Sequence, residues 1–169
     1  MTLVEAMRER REHLLATVGE IVRRESPSTD KAAVDALAAY LQEQCRALGA
    51  DVEVHPQREY GDLTVARWGG NGNADDKPLL VMTHIDTVWP LGTIERKPFS
   101  VEGDIARGPG IFDMKASVAM MLEAVRLIRE RDLPHRPIQW LINTEEEVGS
   151  PVSRPLIEEL ARGSAYVLC

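Results

Sequence analysis

His84 and Asp86, then Asp113, then Glu145, Glu146 and Glu147 are the side chains of this chain best suited to chemistry. Each group follows or adjoins an apolar run: "LLVMTHIDTVWP", "ARGPGIFDMKAS" and "WLINTEEEVGS". Imidazole and carboxylate donors gathered at the ends of buried strands are what a hydrolytic metal site needs. In an α/β sheet the carboxyl ends of the strands are also where ligands collect.

Each cluster has a plain reading beside the chemical one. His84 and Asp86 lie two apart at a strand end, so alternation puts them on one face. There Asp86 could take the second ring N–H of a metal-bound His84. Alone, the pair reads first as a strand-end histidine followed by a turn-starting aspartate. Asp113 follows Gly108-Pro109-Gly110 and precedes an amphipathic stretch. It is placed either to ligate a metal, even two through its two oxygens, or to cap a helix. A dinucleotide-binding loop would need glycine where Asp113 stands, and a carboxylate there repels pyrophosphate. Three adjacent acids at 145–147 repel one another, and therefore require cations or full solvation. A charge run is usually a solvated face, but this one abuts a buried strand.

The elements that must position these residues are legible from periodicity. Apolar residues from Leu3 to Val22 fit one face of a helix spanning residues 3–24. Ser26-Pro27-Ser28-Thr29-Asp30 breaks it and caps a second helix running to about Leu48, with Gly49 as C-cap. Val52 and Val54 begin a strand that pairs with Leu63 to Trp68. Gly69 to Pro78 reads as a surface turn. Leu79 to Met82 and Ile138 to Ile142 are continuously apolar, as central strands are. Between them lie a small hairpin from Phe99 to Ala106 and a helix from Ala116 to Arg131. Pro155 to Arg162 is a short helix, and Tyr166 to Leu168 begins another strand. Strands alternating with helices predict an α/β layered domain. Trp68, Trp140 and Cys45 are expected in the core, and Trp89-Pro90 either lines a pocket or packs a turn.

Composition narrows the function. The chain has 169 residues and 44% hydrophobic residues, enough for one domain with a real core. A net charge of −7 argues against nucleic acid as the main partner. No apolar run is long enough to span a bilayer, and the charged start "MTLVEAMRERREHLL" does not read as a secretory signal. Two cysteines form no disulfide framework, so a cytoplasmic location is expected.

Taken in order, "HIDTVWP", "GPGIFDMKAS" and "NTEEEVGS" resemble the co-catalytic zinc metallopeptidases and amidohydrolases. That group includes glutamate carboxypeptidase, acetylornithine deacetylase and succinyl-diaminopimelate desuccinylase. Smaller echoes are "SPSTDK" and "DLTVARW", and "HIDTVWPLGT" looks most like the glutamate carboxypeptidase branch. The resemblance implies a zinc-exopeptidase-like catalytic domain with a mixed central sheet flanked by helices. It implies His84 and Glu147 as ligands of separate zincs, Asp113 bridging both and joined to Met114 by a cis peptide, and Glu146 as general base. Asp86 would orient His84. Two Zn2+ per complete site are implied, and oxygen and imidazole donors suit Co2+ or Mn2+ as well. The implied substrate is a small peptide with a C-terminal amino acid such as glutamate, or an N-acyl amino acid.

The resemblance also implies another metal carboxylate after the following strand, a late histidine ligand and a lid or dimerisation domain. "AYVLC" looks like that strand. The chain is therefore expected to be the N-terminal part of the catalytic domain, incomplete at its C-terminus and a poor catalyst alone, with the full-length form a homodimer. A non-catalytic interaction protein that keeps the front half of the fold is the competing reading.

Overall fold

A computed structural model of the chain describes residues 2–73 and 76–169. A five-stranded mixed sheet organises it, with strand order β1-β2-β6-β3-β7. The strands are β1 (Asp51–His55), β2 (Leu63–Trp68), β3 (Leu79–His84), β6 (Ile138–Asn143) and β7 (Tyr166–Leu168). β1–β2 and β2–β6 run antiparallel, whereas β6–β3 and β3–β7 run parallel. β4 (Ser100–Glu102) and β5 (Ile105–Arg107) form a separate hairpin.

Alternation along the strands makes two cores. Trp68, Ala66, Trp140, Ile138 and Ile142 pack with the face covered by α2 (Arg11–Arg23), α3 (Lys31–Ala47) and α5 (Ala116–Glu130). Val65, Leu80 and Leu141 point the other way, against Leu160 of α6 (Arg154–Gly163). The result is three layers. The central strands are apolar on both faces because both are covered. Both indoles are buried with partners: Trp140 Nε1 donates to Thr83 Oγ1 at 2.9 Å, and Trp68 Nε1 to the Leu48 carbonyl at 3.0 Å. Cys45 is fully buried on the apolar stripe of α3.

The expected helix over residues 3–24 is two helices, α1 (Leu3–Glu9) and α2, broken at Arg10. The apolar stripe is itself interrupted, since nothing between Met7 and Leu14 can pack. Arg10 instead reaches Glu123, buried on α5, at 2.6 Å, and also pairs with Glu130. His13 is half exposed and places Nδ1 2.7 Å from Glu123 Oε2. α4 (Thr93–Arg96) is a single turn that periodicity did not reveal. Within the expected 69–78 turn, residues 74 and 75 lie outside the described residues.

β7 is an edge strand paired only with β3 among the described residues, and Tyr166, Val167 and Leu168 are exposed on it. Such an edge is open to further pairing.

Candidate metal centre

β3 and β6 are parallel neighbours in register, with His84 opposite Asn143, so both chains leave the sheet at the same end. The turn after β3 carries Asp86, and the turn after β6 carries the three glutamates. Asp113 comes from a third direction, in a wide turn over Ile111–Lys115 that leads into α5. Gly110 opens that turn with φ +67°, a conformation natural to glycine. The Asp113–Met114 peptide is cis, as the resemblance implied. Asp113 is not a helix cap, because α5 starts at Ala116, its N-cap is Lys115, and no side chain caps it.

Among the described residues, ligand atoms of His84, Asp113 and Glu147 lie within 4.8 Å of one another. His84 Nε2 is 2.8 Å from Asp113 Oδ1 and 3.8 Å from Glu146 Oε2. Its Nδ1 donates to the Asp86 carbonyl at 3.1 Å and lies 3.4 Å from Asp86 Oδ1. His84 and Asp86 are buried, whereas the Asp113 and Glu146 side chains are 69% and 54% exposed. The site thus has a rigid floor and a reachable rim. A cavity of about 350 Å³ opens on it, lined by Met82, His84, Asp113, Met114, Glu146 and Ile157 among others. A second groove, of about 280 Å³, reaches Asp113 and Glu147 from the side of Trp89. Trp89 is therefore at a pocket wall, with the Lys97 ammonium over its ring at 4.3 Å.

The electrostatics are those of a cluster of carboxylates around one imidazole. Burial disfavours the charged imidazole of His84, but hydrogen bonds to Asp86 and Asp113, with the Asp86 and Glu146 charges, raise its pKa to about 9. Burial raises Glu147, and the Asp113, Asp86 and Glu146 carboxylates push the same way against His84. Asp86 is buried too, yet its partners His84, Ser28 and the Glu146 amide hold its pKa low. Burial drops Lys115 to about 8, against the pull of Glu25. Its Nζ is spent on the Arg24 and Ile21 carbonyls, at 2.7 and 3.3 Å, which ties the Asp113 turn to the end of α2.

The three glutamates are not one solvated face. Glu145 is fully buried and turns inward, where its carboxylate accepts the Val152 and Ser153 amides at 3.3 and 2.9 Å, just before α6. Only Glu146 and Glu147 face the site. Sequence reasoning also gave Ser28 no role, yet its hydroxyl donates to Asp86 Oδ2 at 2.7 Å. The "SPSTDK" stretch was its only signal.

An imidazole nitrogen and two carboxylates, with an acceptor behind the histidine, fit a divalent cation. Fold and site together define an α/β protein with a histidine–carboxylate cluster at the carboxyl ends of its parallel strands. The profile described as Peptidase family M20/M25/M40 matches residues 80–169, more than half of the chain. The chain belongs to that family. It is 35% identical to Carboxypeptidase G2 of Pseudomonas sp. (strain RS-16) over 98% of its own length and 40% of that protein's. It is 30% identical over 139 residues to succinyl-diaminopimelate desuccinylase of Leptothrix cholodnii, covering 79% of this chain and 36% of the relative. In fold it superposes on human carnosine dipeptidase 1 with a TM-score of 0.81 at 19% identity, covering 96% of this chain and 39% of that structure. The chain thus spans about two fifths of the length of these relatives.

Proposed function

We propose that these residues form the first part of the catalytic centre of a metal-dependent hydrolase that cleaves an amide bond. The observation that carries the reading is the convergence of His84, Asp113 and Glu147 ligand atoms within 4.8 Å, beside an exposed Glu146 carboxylate 3.8 Å from His84 Nε2. His84, Asp113 and Glu147 would hold the metal, with Asp113 able to serve two ions through its two oxygens. Zinc suits the donors, as do cobalt and manganese. When bound, the metal supplies a Lewis acid that acidifies water and polarises the amide carbonyl.

The chain's own residues do the rest. Asp86 fixes the ring of His84 by facing its Nδ1, so that Nε2 points to the ligand cluster. Glu146 accepts a proton from the attacking water at a carboxylate oxygen and returns it to the departing amide nitrogen. Water and amide become a carboxylate and a free amine, and Glu146 ends as it began. The resemblance to Carboxypeptidase G2 favours as substrate a small peptide that loses a C-terminal residue such as glutamate, or an N-acyl amino acid. Further ligands come, in this reading, from residues beyond the 169 described by this sequence, which together form the N-terminal part of a catalytic domain. A homodimeric full-length form and a cytoplasmic location, where Cys45 and Cys169 remain thiols, belong to the same proposal.

A purely non-catalytic interaction protein has no use for an exposed carboxylate set beside a ligand cluster. The test is Glu146→Gln in the intact protein. Metal should stay bound while hydrolysis of N-acyl glutamate and glutamyl-terminated peptides falls about 10²–10⁴-fold. Undiminished turnover by the variant would remove Glu146 as the base.

A further inference from the structure

Asp86 touches more than the histidine it was expected to orient. Its Oδ1 accepts the Glu146 amide at 3.1 Å, and its Oδ2 accepts the Glu147 amide at 3.2 Å and the Ser28 hydroxyl at 2.7 Å. With His84 Nδ1 at 3.4 Å from Oδ1, the lone pairs of this buried carboxylate are all engaged. Three chain segments, far apart in sequence, therefore meet on one side chain. Ser28 is itself locked in place. Its amide donates to the Thr87 carbonyl at 3.2 Å, the Thr87 amide donates to the Ser26 carbonyl at 2.8 Å, and the Ser26 hydroxyl donates to the Ile85 carbonyl at 2.6 Å. The 26–28 segment is laced along the chain just after β3 and delivers one hydroxyl to Asp86.

We propose that Ser28 is a positioning residue that, through Asp86, clamps the Glu146–Glu147 turn in the register that aims both glutamates at His84 and Asp113. The reasoning is geometric. A carboxylate held by Oδ2 donors on two sides cannot rotate without breaking a charge-assisted bond. Without the Ser28 donor, Asp86 is free to turn about its last torsion, and both turn amides lose their fixed acceptor. The Ser28 hydroxyl bonds Asp86 and the Thr87 carbonyl, and so acts on the site through Asp86. The metal-binding consequence rests on the proposed ligand roles, but the clamp itself does not.

The experiment compares Ser28→Ala and Ser28→Thr with wild type in the intact protein, by residue-resolved amide hydrogen exchange after chelation and by Co2+ titration. The amides of Val152 and Ser153 are the internal control, because they are held by Glu145 and not by Asp86. In Ser28→Ala, exchange at Glu146 and Glu147 should quicken about tenfold while Val152 and Ser153 hold their rates. Ser28→Thr, which keeps a hydroxyl, should restore the slow exchange. Co2+ binding should weaken about tenfold in Ser28→Ala, the usual scale for a group behind the ligands. Equal acceleration at all four amides would make Ser28 a merely structural residue and overturn the clamp, as would no change at Glu146 and Glu147. If the exchange pattern holds but wild type takes up no Co2+, the clamp stands and the proposed metal function fails.

Discussion

His84 Nε2 and Asp113 Oδ1 lie 2.8 Å apart although 29 residues separate them. The strand end brings the first and the turn before α5 brings the second, so the pair exists only in the folded chain. Metal binding should therefore report on folding at this point. In the intact protein, metal at about a hundredfold over its Kd should raise stability by about 2.7 kcal/mol. Asp113→Asn removes one charge and one donor oxygen, and should lose that increment while folding normally without metal. Calorimetric unfolding with and without Zn2+ reads both quantities. An equal metal-induced rise in Asp113→Asn would exclude Asp113 as a ligand.

Gly110 and Thr87 define how closely the Asp113 turn can approach the strand-end segment. A Cβ on Gly110 would lie 2.6 Å from Thr87 Cγ2, on a backbone at φ +67°. Gly149 also has positive φ, +90°, but an added Cβ there meets nothing within 4 Å. Gly149→Ala should thus cost only the backbone penalty, about 1 kcal/mol. Gly110→Ala adds a clash beside Asp86 and should cost about 2–3 kcal/mol. Urea unfolding of the two variants distinguishes them, and equal losses would show that Thr87 yields without cost.

Much of this architecture could be read from the chain because short apolar runs between polar punctuation permit few alternatives. β3 and β6, the α5 stripe and the residues at the strand ends all follow from that pattern. Contacts between distant segments could not be read. The break at Arg10 goes with Glu123, which is 113 residues away, and Ser28, which bonds Asp86, is 58 residues from it. The three glutamates were indistinguishable as letters. Glu145 parts from the other two because the free amides just before α6 supply a buried acceptor's needs, and only the fold brings those amides there.

Cys45 provides a test of packing away from the site. Burial pushes its thiol up to about 12, and the side chain is wholly enclosed in the α3 core. The thiolate is the reactive species, so iodoacetamide at mildly alkaline pH should leave Cys45 unmodified in the folded protein. The exposed Cys169 should alkylate readily. Peptide mapping after brief labelling, with and without denaturing urea, locates the adducts. Rapid labelling of Cys45 under native conditions would mean that α3 opens far more often than a packed core allows.

Lys31, at the start of α3, joins Asp62 Oδ1 at 2.5 Å and Asp35 Oδ2 at 2.9 Å. Partial burial tends to raise the Asp62 pKa, but the Lys31 ammonium and the Gln57 amide overcome it and hold it low. Burial likewise tends to lower Lys31, and the two aspartates outweigh it and raise it. The signs set a window. A depressed carboxylate stabilises the fold above its ordinary value, about 3.9, and that contribution is lost as pH falls through the folded value. A raised lysine stabilises below its ordinary value, about 10.4, and that contribution is lost as pH rises through the folded value. Between those limits the pair should contribute about 1 kcal/mol, given its part exposure to solvent. Asp62→Asn should therefore be less stable by that amount at neutral pH and should show a shallower loss of stability on acidification. Denaturant midpoints measured from acid to neutral pH decide the matter, since identical slopes in the variant and wild type would mean that the pair forms no better in the folded protein than in the unfolded chain.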